Sequence, residues 1–377
     1  MSAVAIRSWS TDRPARPHVP HALHGPDRIW PETNCYVDLW IELLHLHGLA
    51  PEAMLGFTVR QDFEGDQFTF FKPSMADVES LYGLRLEELA VYDGLEAHAR
   101  VQTAQDRPVL VEVDAWHLPD TAGTTYGRAH AKTTIGILGL DPEARELDYL
   151  HNAGRFTLEG VDYDGLFAAA VLPPYAEFVK AVGPPLPRER LAAASLDVLR
   201  GHRARAPSRN PILAFRDALT VSAAALVQRP LTVFHAYAFN TTRQLGANFE
   251  LLGAHLAWLH AADVADLAGA ADAATRLSTE AKAFQFQLAR AFSRRSAGGL
   301  AERLDDLAST YAAVFAALDD ALLGAPFNEE DTGRVIQGAS EQEFGAADGG
   351  NATRHGSNGR RPPDIGQRTD QNEAQRP

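Results

Sequence analysis

The side chains that could carry covalent chemistry in this chain are a thiol, an imidazole and a carboxamide, at Cys35, His130 and Asn152. Cys35 is the only cysteine, and it stands where a polar loop turns into an apolar helix. The first N–H groups of a helix lack internal partners and carry partial positive charge. Such a position favours the thiolate, which is the reactive form. A Cys-His-Asn set of this kind is typical of nucleophilic acyl chemistry.

The spacing of the histidine and the amide predicts that both approach the thiol from one hairpin. His130 precedes a β-branched predicted strand, and Asn152 ends the strand that follows the next turn. Proline at the second position of that turn is typical of a β-turn, and the resulting hairpin places Asn152 opposite about Thr133. Because neighbouring residues of a strand face opposite sides, only one of His151 and Asn152 can point toward His130. Asn152 is the preferred orienting residue, and His151 remains the rival.

Two further residues are candidates for supporting this site. Asn34 (or Thr33) is a predicted N-cap of the helix, and with the backbone N–H groups it could stabilise an oxyanion. Asp114 follows an apolar strand and could orient His130 or line the cleft. Each candidate also has an ordinary interpretation, as a buried core cysteine, a structural histidine or a turn residue.

The surrounding elements predict an α+β fold in two parts. Residues 26–172 mix short helices and strands, in which the cysteine-bearing helix packs on an antiparallel sheet. Residues 173–190 are rich in proline and predict a linker, and residues 191–325 have the periodicity of an all-α helical bundle. Residues 1–25 are interpreted as a disordered arm, and the polar residues 326–377 as a disordered tail.

One helix of the second part carries a polar stripe. Asn240, Arg243 and Gln244 share a face of a segment that is otherwise rich in apolar residues. If buried, these groups would need hydrogen-bond partners, which makes them candidate substrate-binding residues. The alternative is a solvated helix face.

Composition limits the classes of function. Lysine and arginine number 35 against 49 aspartates and glutamates, a net charge of −14. This charge argues against nucleic-acid binding, and an acidic partner protein would need a local basic patch. Two such patches are present, Arg203 with Arg205 and Arg209, and Arg290 with Arg294 and Arg295. No signal-peptide pattern, uninterrupted membrane span or metal-ligand spacing is evident, so we expect a cytoplasmic protein with no membrane association, metal or cofactor.

The order of these pieces resembles a known architecture. Asn34-Cys35 with its helix, the run 111–119, His130 with its strand and the run 151–154 resemble a papain-like cysteine domain. The likeness is greatest to the N-terminal domain of the butirosin-pathway aminoacyltransferase group. Residues 25–325 as a whole are similar to a bacterial family called domain of unknown function 1839.

This resemblance implies a function. The butirosin group moves an aminoacyl chain from a carrier-protein thioester to an amine, and genes of the unknown-function family tend to lie beside small carrier proteins and ligases. The resemblance therefore implies Cys35 as nucleophile, His130 as base, Asn152 as orienting residue, and a phosphopantetheinyl carrier protein and a small-molecule acceptor as partners. Papain-like peptidases usually place a glutamine six residues before the cysteine, where this chain has Ile29. A hydrolase on the same residues and a non-catalytic module that binds a carrier protein are the alternatives.

Overall fold

The computed structural model describes residues 17–168 and 174–325. Within them, six strands form one sheet in the order β1-β6-β2-β3-β4-β5, and every neighbouring pair is antiparallel. The predicted α+β class with an antiparallel sheet is therefore confirmed. The strands are β1 (Leu84–Glu88), β2 (Val109–Asp114), β3 (Lys132–Asp141), β4 (Glu146–His151), β5 (Gly154–Glu159) and β6 (Ala176–Ala181).

Helix α1 (Cys35–Leu46) lies on one face of this sheet. It packs so closely on β3 that a Cβ atom on Gly136 would come within 2.7 Å of the Leu39 side chain. A larger residue at position 136 would displace the Leu39 side chain, so this contact helps to set the depth of the cysteine-bearing helix. Helices α2 (Met75–Tyr82), α3 (Leu95–Thr103) and α4 (Gly160–Phe167) complete the first half, and α3 and α4 pack on the face opposite α1.

The second half of the described chain is helical, as predicted. A buried apolar cluster joins its helices, with α9 packed between α8 and α10. Helix α10 is long and apolar enough to cross a membrane, but here Leu304, Val314 and Leu318 are buried in the cluster. The helices are α5 (Arg188–Arg203), α6 (Pro211–Leu226), α7 (Leu231–Ala238), a π-helical turn (Phe239–Arg243), α8 (Gln244–Ala261), α9 (Ala268–Arg294) and α10 (Leu300–Gly324).

The structure corrects the predicted arm. Residues 17–25 are ordered against α1, and Leu23 is part of the core beneath that helix. The His24 ring lies between two carboxylates of α1, 3.2 Å from Asp38 and 2.5 Å from Glu42. The composition of the segment suggested disorder because the charged partners of its histidines lie further along the chain. Residues 1–16 of the predicted arm and the tail 326–377 lie outside the described residues.

The structure also corrects the predicted linker. Residues 176–181 form strand β6, which lies between β1 and β2 in the sheet, so the first half extends to Ala181 rather than to residue 172. The prolines on both sides of this strand suggested a linker. The strand itself is short, and its pairing partners are distant in sequence, so local composition did not reveal it.

Candidate functional site

The thiol of Cys35 lies at the first residue of α1, as predicted, and is half-buried. Its Sγ lies 3.7 Å from Oγ1 of Thr134 on β3. This contact places the sulfur above the middle of the sheet, on the face that α1 covers. Cys35 is the first residue of α1, and the first N–H groups of a helix have no partner within the helix.

Asn34 is the N-cap of α1, which confirms the predicted helix start. Its Oδ1 accepts from the N–H of Val37 at 3.0 Å, and its Nδ2 donates to the carbonyl of Phe71 at 3.0 Å. Both polar atoms of this buried side chain thus fix the helix start. The backbone N–H groups of Cys35 and Tyr36 are the groups best placed to meet a developing oxyanion.

His130 forms an ion-pair-like contact with Asp114. Nδ1 of the ring lies 2.5 Å from Oδ2 of the carboxylate, and the ring stacks on Trp116 with a centroid separation of 4.6 Å. Partial burial opposes ionisation of the carboxyl, but the hydrogen bonds from His130 and from the N–H groups of Trp116 and Ala131 lower the pKa of Asp114. A carboxylate only accepts hydrogen bonds, so Nδ1 carries a proton, and in the neutral form of the ring Nε2 has the free lone pair.

The strand register places the thiol and this pair on the same face of the sheet. Thr134 and Lys132 are two residues apart on β3 and therefore point the same way, and Asp114 is the partner of Lys132 across the β2–β3 ladder. The His130–Asp114 pair is thus about 7 Å further along the strand than the Cys35–Thr134 contact. The two contacts are neighbours, and the ring of His130 is directed toward Asp114.

Asn152 and His151 take different places from those expected. Asn152 lies in the tight turn between β4 and β5 with a φ of +47°, a conformation that asparagine tolerates. The contact to His130 that was expected of Asn152 is made by Asp114 instead. His151 is buried on the opposite face, where Nδ1 lies 2.6 Å from Asp120 and Nε2 lies 2.8 Å from Thr133.

The predicted substrate-binding residues of the helical half divide into three environments. Arg243 donates to the carbonyls of Glu32 and Thr33, just before the nucleophile, at 2.9 and 3.2 Å. Asn240 donates to a carbonyl of its own helix. Gln244 is buried, and among the described residues neither polar atom of its side chain has a hydrogen-bond partner. Arg243 therefore connects the π-helical turn to the loop that carries Cys35.

Several residues near the site were missed at the sequence level. Glu177 of β6 accepts from the hydroxyls of Tyr36 and Tyr175 at 3.0 and 2.7 Å. Lys132 of β3 donates to Glu112 of β2 at 2.5 Å. Residues 176–181 (Ala-Glu-Phe-Val-Lys-Ala) do not alternate strictly between apolar and polar, so no local pattern indicated Glu177.

A groove of about 510 Å³ opens beside His130. A second cavity of about 460 Å³ adjoins it, and the two share Glu112, Val113, Asp114 and Pro174. The His130 side chain therefore borders space that a substrate could enter. The groove is lined by Glu112, Val113, Asp114, His130, Ala131, Lys132, Pro174 and Tyr175.

A comparison with protein families found matches for both halves of the chain. Residues 19–181 match the DUF1839 N-terminal domain, and residues 188–320 match the DUF1839 C-terminal domain. The chain belongs to the DUF1839 family. The N-terminal domain of the family ends at Ala181, where β6 ends, and so includes the strand that carries Glu177. A search of curated proteins returned no match to this chain.

Proposed function

We propose that this DUF1839 protein is a cysteine-dependent acyltransferase, which moves an aminoacyl or acyl group from a carrier-protein thioester to an amine. The observation that supports it best is the position of Cys35, half-buried at the start of α1 and on the same sheet face as the His130–Asp114 pair. The resemblance to papain-like aminoacyltransferases supplies the substrate class, since a thiol attacks a thioester readily.

In the proposed reaction, the sulfur of Cys35 attacks the thioester carbonyl and the carrier thiol leaves. His130 takes the proton of Cys35 on Nε2 and gives it to the departing carrier thiolate. An amine then attacks the new thioester on Cys35, His130 accepts the amine proton, and the cysteine thiolate is released. The acyl group ends as an amide, and no oxidant or cofactor is required.

This proposal requires His130 to move toward the thiol. Its side chain is 73% exposed, so solvent leaves room for the ring to rotate, and the rotation has to give up the stacking on Trp116. Hydrogen bonds of catalytic groups are often long in unliganded sites and shorten when substrate binds. Asp114 serves as the orienting residue in this scheme, because it fixes the tautomer that leaves Nε2 as the base.

Two observations favour other uses of the same site. The groove beside His130 is open to water, which favours a hydrolase if the acyl-enzyme is not protected. The position of the papain-like glutamine is occupied by Ile29, whose N–H donates to Glu250 at 2.8 Å. A site without that side-chain donor suits a non-catalytic module that binds a carrier protein.

Alkylation with iodoacetamide tests the proposal directly, because Cys35 is the only thiol in the chain. We expect the folded protein to be labelled at neutral pH, and His130→Ala to slow labelling by about tenfold if the imidazole promotes thiolate formation. Cys35→Ser is the control for non-specific labelling. A thiol that reacts only in denaturant would contradict the proposal. Equal labelling with survival of biological activity in Cys35→Ala would favour the binding module.

A further inference from the structure

One exposed stripe of helix α9 combines cationic and aromatic side chains. Lys282, Phe286, Arg290 and Arg294 are spaced by four residues, so they follow one another along the same side of the helix. Phe286 is 59% exposed, and Arg290 and Arg294 are exposed. An exposed phenylalanine between cations is typical of a surface that contacts another molecule.

Two adjoining grooves lie along this stripe. One, of about 490 Å³, is lined by Phe286 and Arg290, and the other, of about 260 Å³, is lined by Arg290, Arg294 and Arg303 of α10. The grooves share Gln287 and Arg290, and thus form one continuous depression at the α9–α10 turn.

The arginines of this depression differ from others on the helical half. Arg203 is paired with Asp319, and Arg216 is paired with Asp305. Within residues 17–168 and 174–325, no carboxylate pairs with Arg290, Arg294 or Arg303. The acidic residue of the first turn of α10 is Glu302, next to Arg303 in the sequence. The chain has a net charge of −14, whereas these arginines have no carboxylate partner among the described residues. The electrostatic potential at this surface is therefore positive, opposite in sign to the net charge of the protein.

One end of the stripe contacts the segment that precedes the nucleophile in the sequence. The ammonium group of Lys282 lies 3.9 Å from the ring centroid of Trp30, five residues before Cys35 in the sequence. From Lys282 to Arg294 the helix extends about 18 Å, at 1.5 Å per residue. That distance is comparable with the span of an extended phosphopantetheine arm.

We propose that this stripe (Phe286, Arg290, Arg294 and Arg303) is the docking surface for an acidic helix of the carrier protein. The inference rests on the proposed function, and the charge complementarity argues for it: the arginines meet carboxylates of the partner, and Phe286 contacts an apolar side chain between them. The prosthetic arm then extends along α9 toward Trp30 and Cys35. The net charge of −14 disfavours docking of an acidic partner over most of the chain, and the patch of Arg203, Arg205 and Arg209 is the competing basic surface.

Binding to a purified, acidic holo-carrier protein tests the surface, measured by isothermal titration calorimetry with Cys35→Ala, so that no chemistry contributes. We expect the double variant Arg290→Glu/Arg294→Glu to raise Kd at least about tenfold. Arg205→Glu/Arg209→Glu is the matched control, because both residues are exposed and belong to the other basic patch, that of Arg203, Arg205 and Arg209. This control should change Kd less than about twofold. Phe286→Ala should raise Kd by a smaller factor. Thermal unfolding of each variant separates lost binding from lost folding.

The outcomes separate this surface from the proposed activity. Equal Kd for the two double variants, or no binding of the holo-carrier protein, overturns the docking surface. If loaded carrier acylates Cys35 in Arg290→Glu/Arg294→Glu at the wild-type rate, the proposed activity is supported and the docking surface is overturned. If Arg290→Glu/Arg294→Glu abolishes binding but Cys35 is never acylated in any form of the protein, the docking surface is supported and the acyltransferase proposal is overturned. Equally tight, charge-dependent binding of a transfer RNA would assign the surface to nucleic acid and overturn the proposal.

Discussion

Two histidine–carboxylate pairs lie on opposite faces of the same sheet and differ in their surroundings. His130 and Asp114 form a pair whose imidazole is 73% exposed, whereas His151 and Asp120 form a pair in which the two side chains are 3% and 6% exposed. Asp120 also accepts from the hydroxyl of Tyr149 at 2.5 Å. The same type of contact, a histidine beside an aspartate, therefore occurs in two settings. The buried pair belongs to a hydrogen-bond network with Tyr149 and Thr133, and the exposed pair lines a groove.

The difference teaches that burial, rather than the type of residue, separates a structural histidine from a candidate catalytic one. A buried pair contributes to stability because each partner satisfies the other, and removal of one leaves an uncompensated group. An exposed pair contributes little to stability, because water competes with it. Its retention of a free ring nitrogen suits proton transfer.

The largest effect should come from His130→Ala. If His130 is the base, the rate of the proposed acyl transfer should fall by about 10²–10⁴-fold, and the free energy of unfolding should change by less than about 1 kcal/mol. Single-turnover kinetics with loaded carrier and urea unfolding measure the two quantities. His260→Ala, at an exposed histidine that lies 3.5 Å from Asp266, is the control. A variant that keeps the wild-type rate would remove His130 from the proposed reaction.

His151→Ala should give the converse result. It leaves the carboxylate of Asp120 with only Tyr149 as a partner among the contacts seen here, so we expect a loss of about 3 kcal/mol in the free energy of unfolding. Urea unfolding measures the loss. The comparison would fail if this variant were as stable as wild type while His130→Ala unfolded.

A third histidine, His24, is buried between two carboxylates and is expected to make the stability of the folded protein depend on pH. Burial opposes protonation of His24, but its hydrogen bonds to Asp38 and Glu42 raise the pKa of the imidazole to about 9. Burial opposes ionisation of Glu42, but hydrogen bonds from His18, His24 and the N–H of His21 lower the pKa of this carboxyl to about 2.

The stability from this cluster follows from those directions. The contribution of His24 is complete below its unfolded pKa of 6.5 and is lost as pH rises through 9. The contribution of Glu42 is complete above 4.5 and is lost as pH falls through 2. The sum of these two contributions is therefore largest between pH 4.5 and 6.5, and the His24 contribution falls by on the order of 3 kcal/mol by pH 10. Unfolding of wild type and His24→Gln across this range should show a flatter curve in the variant; parallel curves would contradict the assignment.

The smallest effect is expected at Gln244. Its buried side-chain amide has no hydrogen-bond partner among the described residues, so Gln244→Leu should keep or raise the free energy of unfolding by up to about 1 kcal/mol. The backbone carbonyl that accepts from Gln61 is unchanged by the substitution. Thermal unfolding measures the change. A loss larger than about 2 kcal/mol would mean that this amide satisfies a hidden polar group.

Local signals predicted the elements that carry the site. Asn34 before an apolar stripe, and Gly48 after it, correctly predicted α1, with Cys35 at its start. The proline-containing turn correctly predicted the β3–β4 hairpin. These features are determined by residues that are close to one another in the sequence, so they can be predicted from the sequence.

The contacts within the site depend on residues that are distant in sequence. Asp114 rather than Asn152 meets His130 because the β2–β3 register places Asp114 beside Lys132. Strand β6 was interpreted as a linker because its partners on β1 and β2 lie about 65–97 residues earlier. The π-helical turn that brings Arg243 to the carbonyl of Thr33 has no local pattern of its own.

The central claim, that Cys35 carries the acyl group, is tested most directly by intact-mass spectrometry after the chain is mixed with a panel of aminoacyl-loaded carrier proteins. The account predicts that the chain gains the mass of the aminoacyl group, that the adduct maps to Cys35 and disappears in Cys35→Ala, and that it forms far more slowly in His130→Ala. An unchanged mass with every loaded carrier, or an adduct that persists in Cys35→Ala, would contradict it.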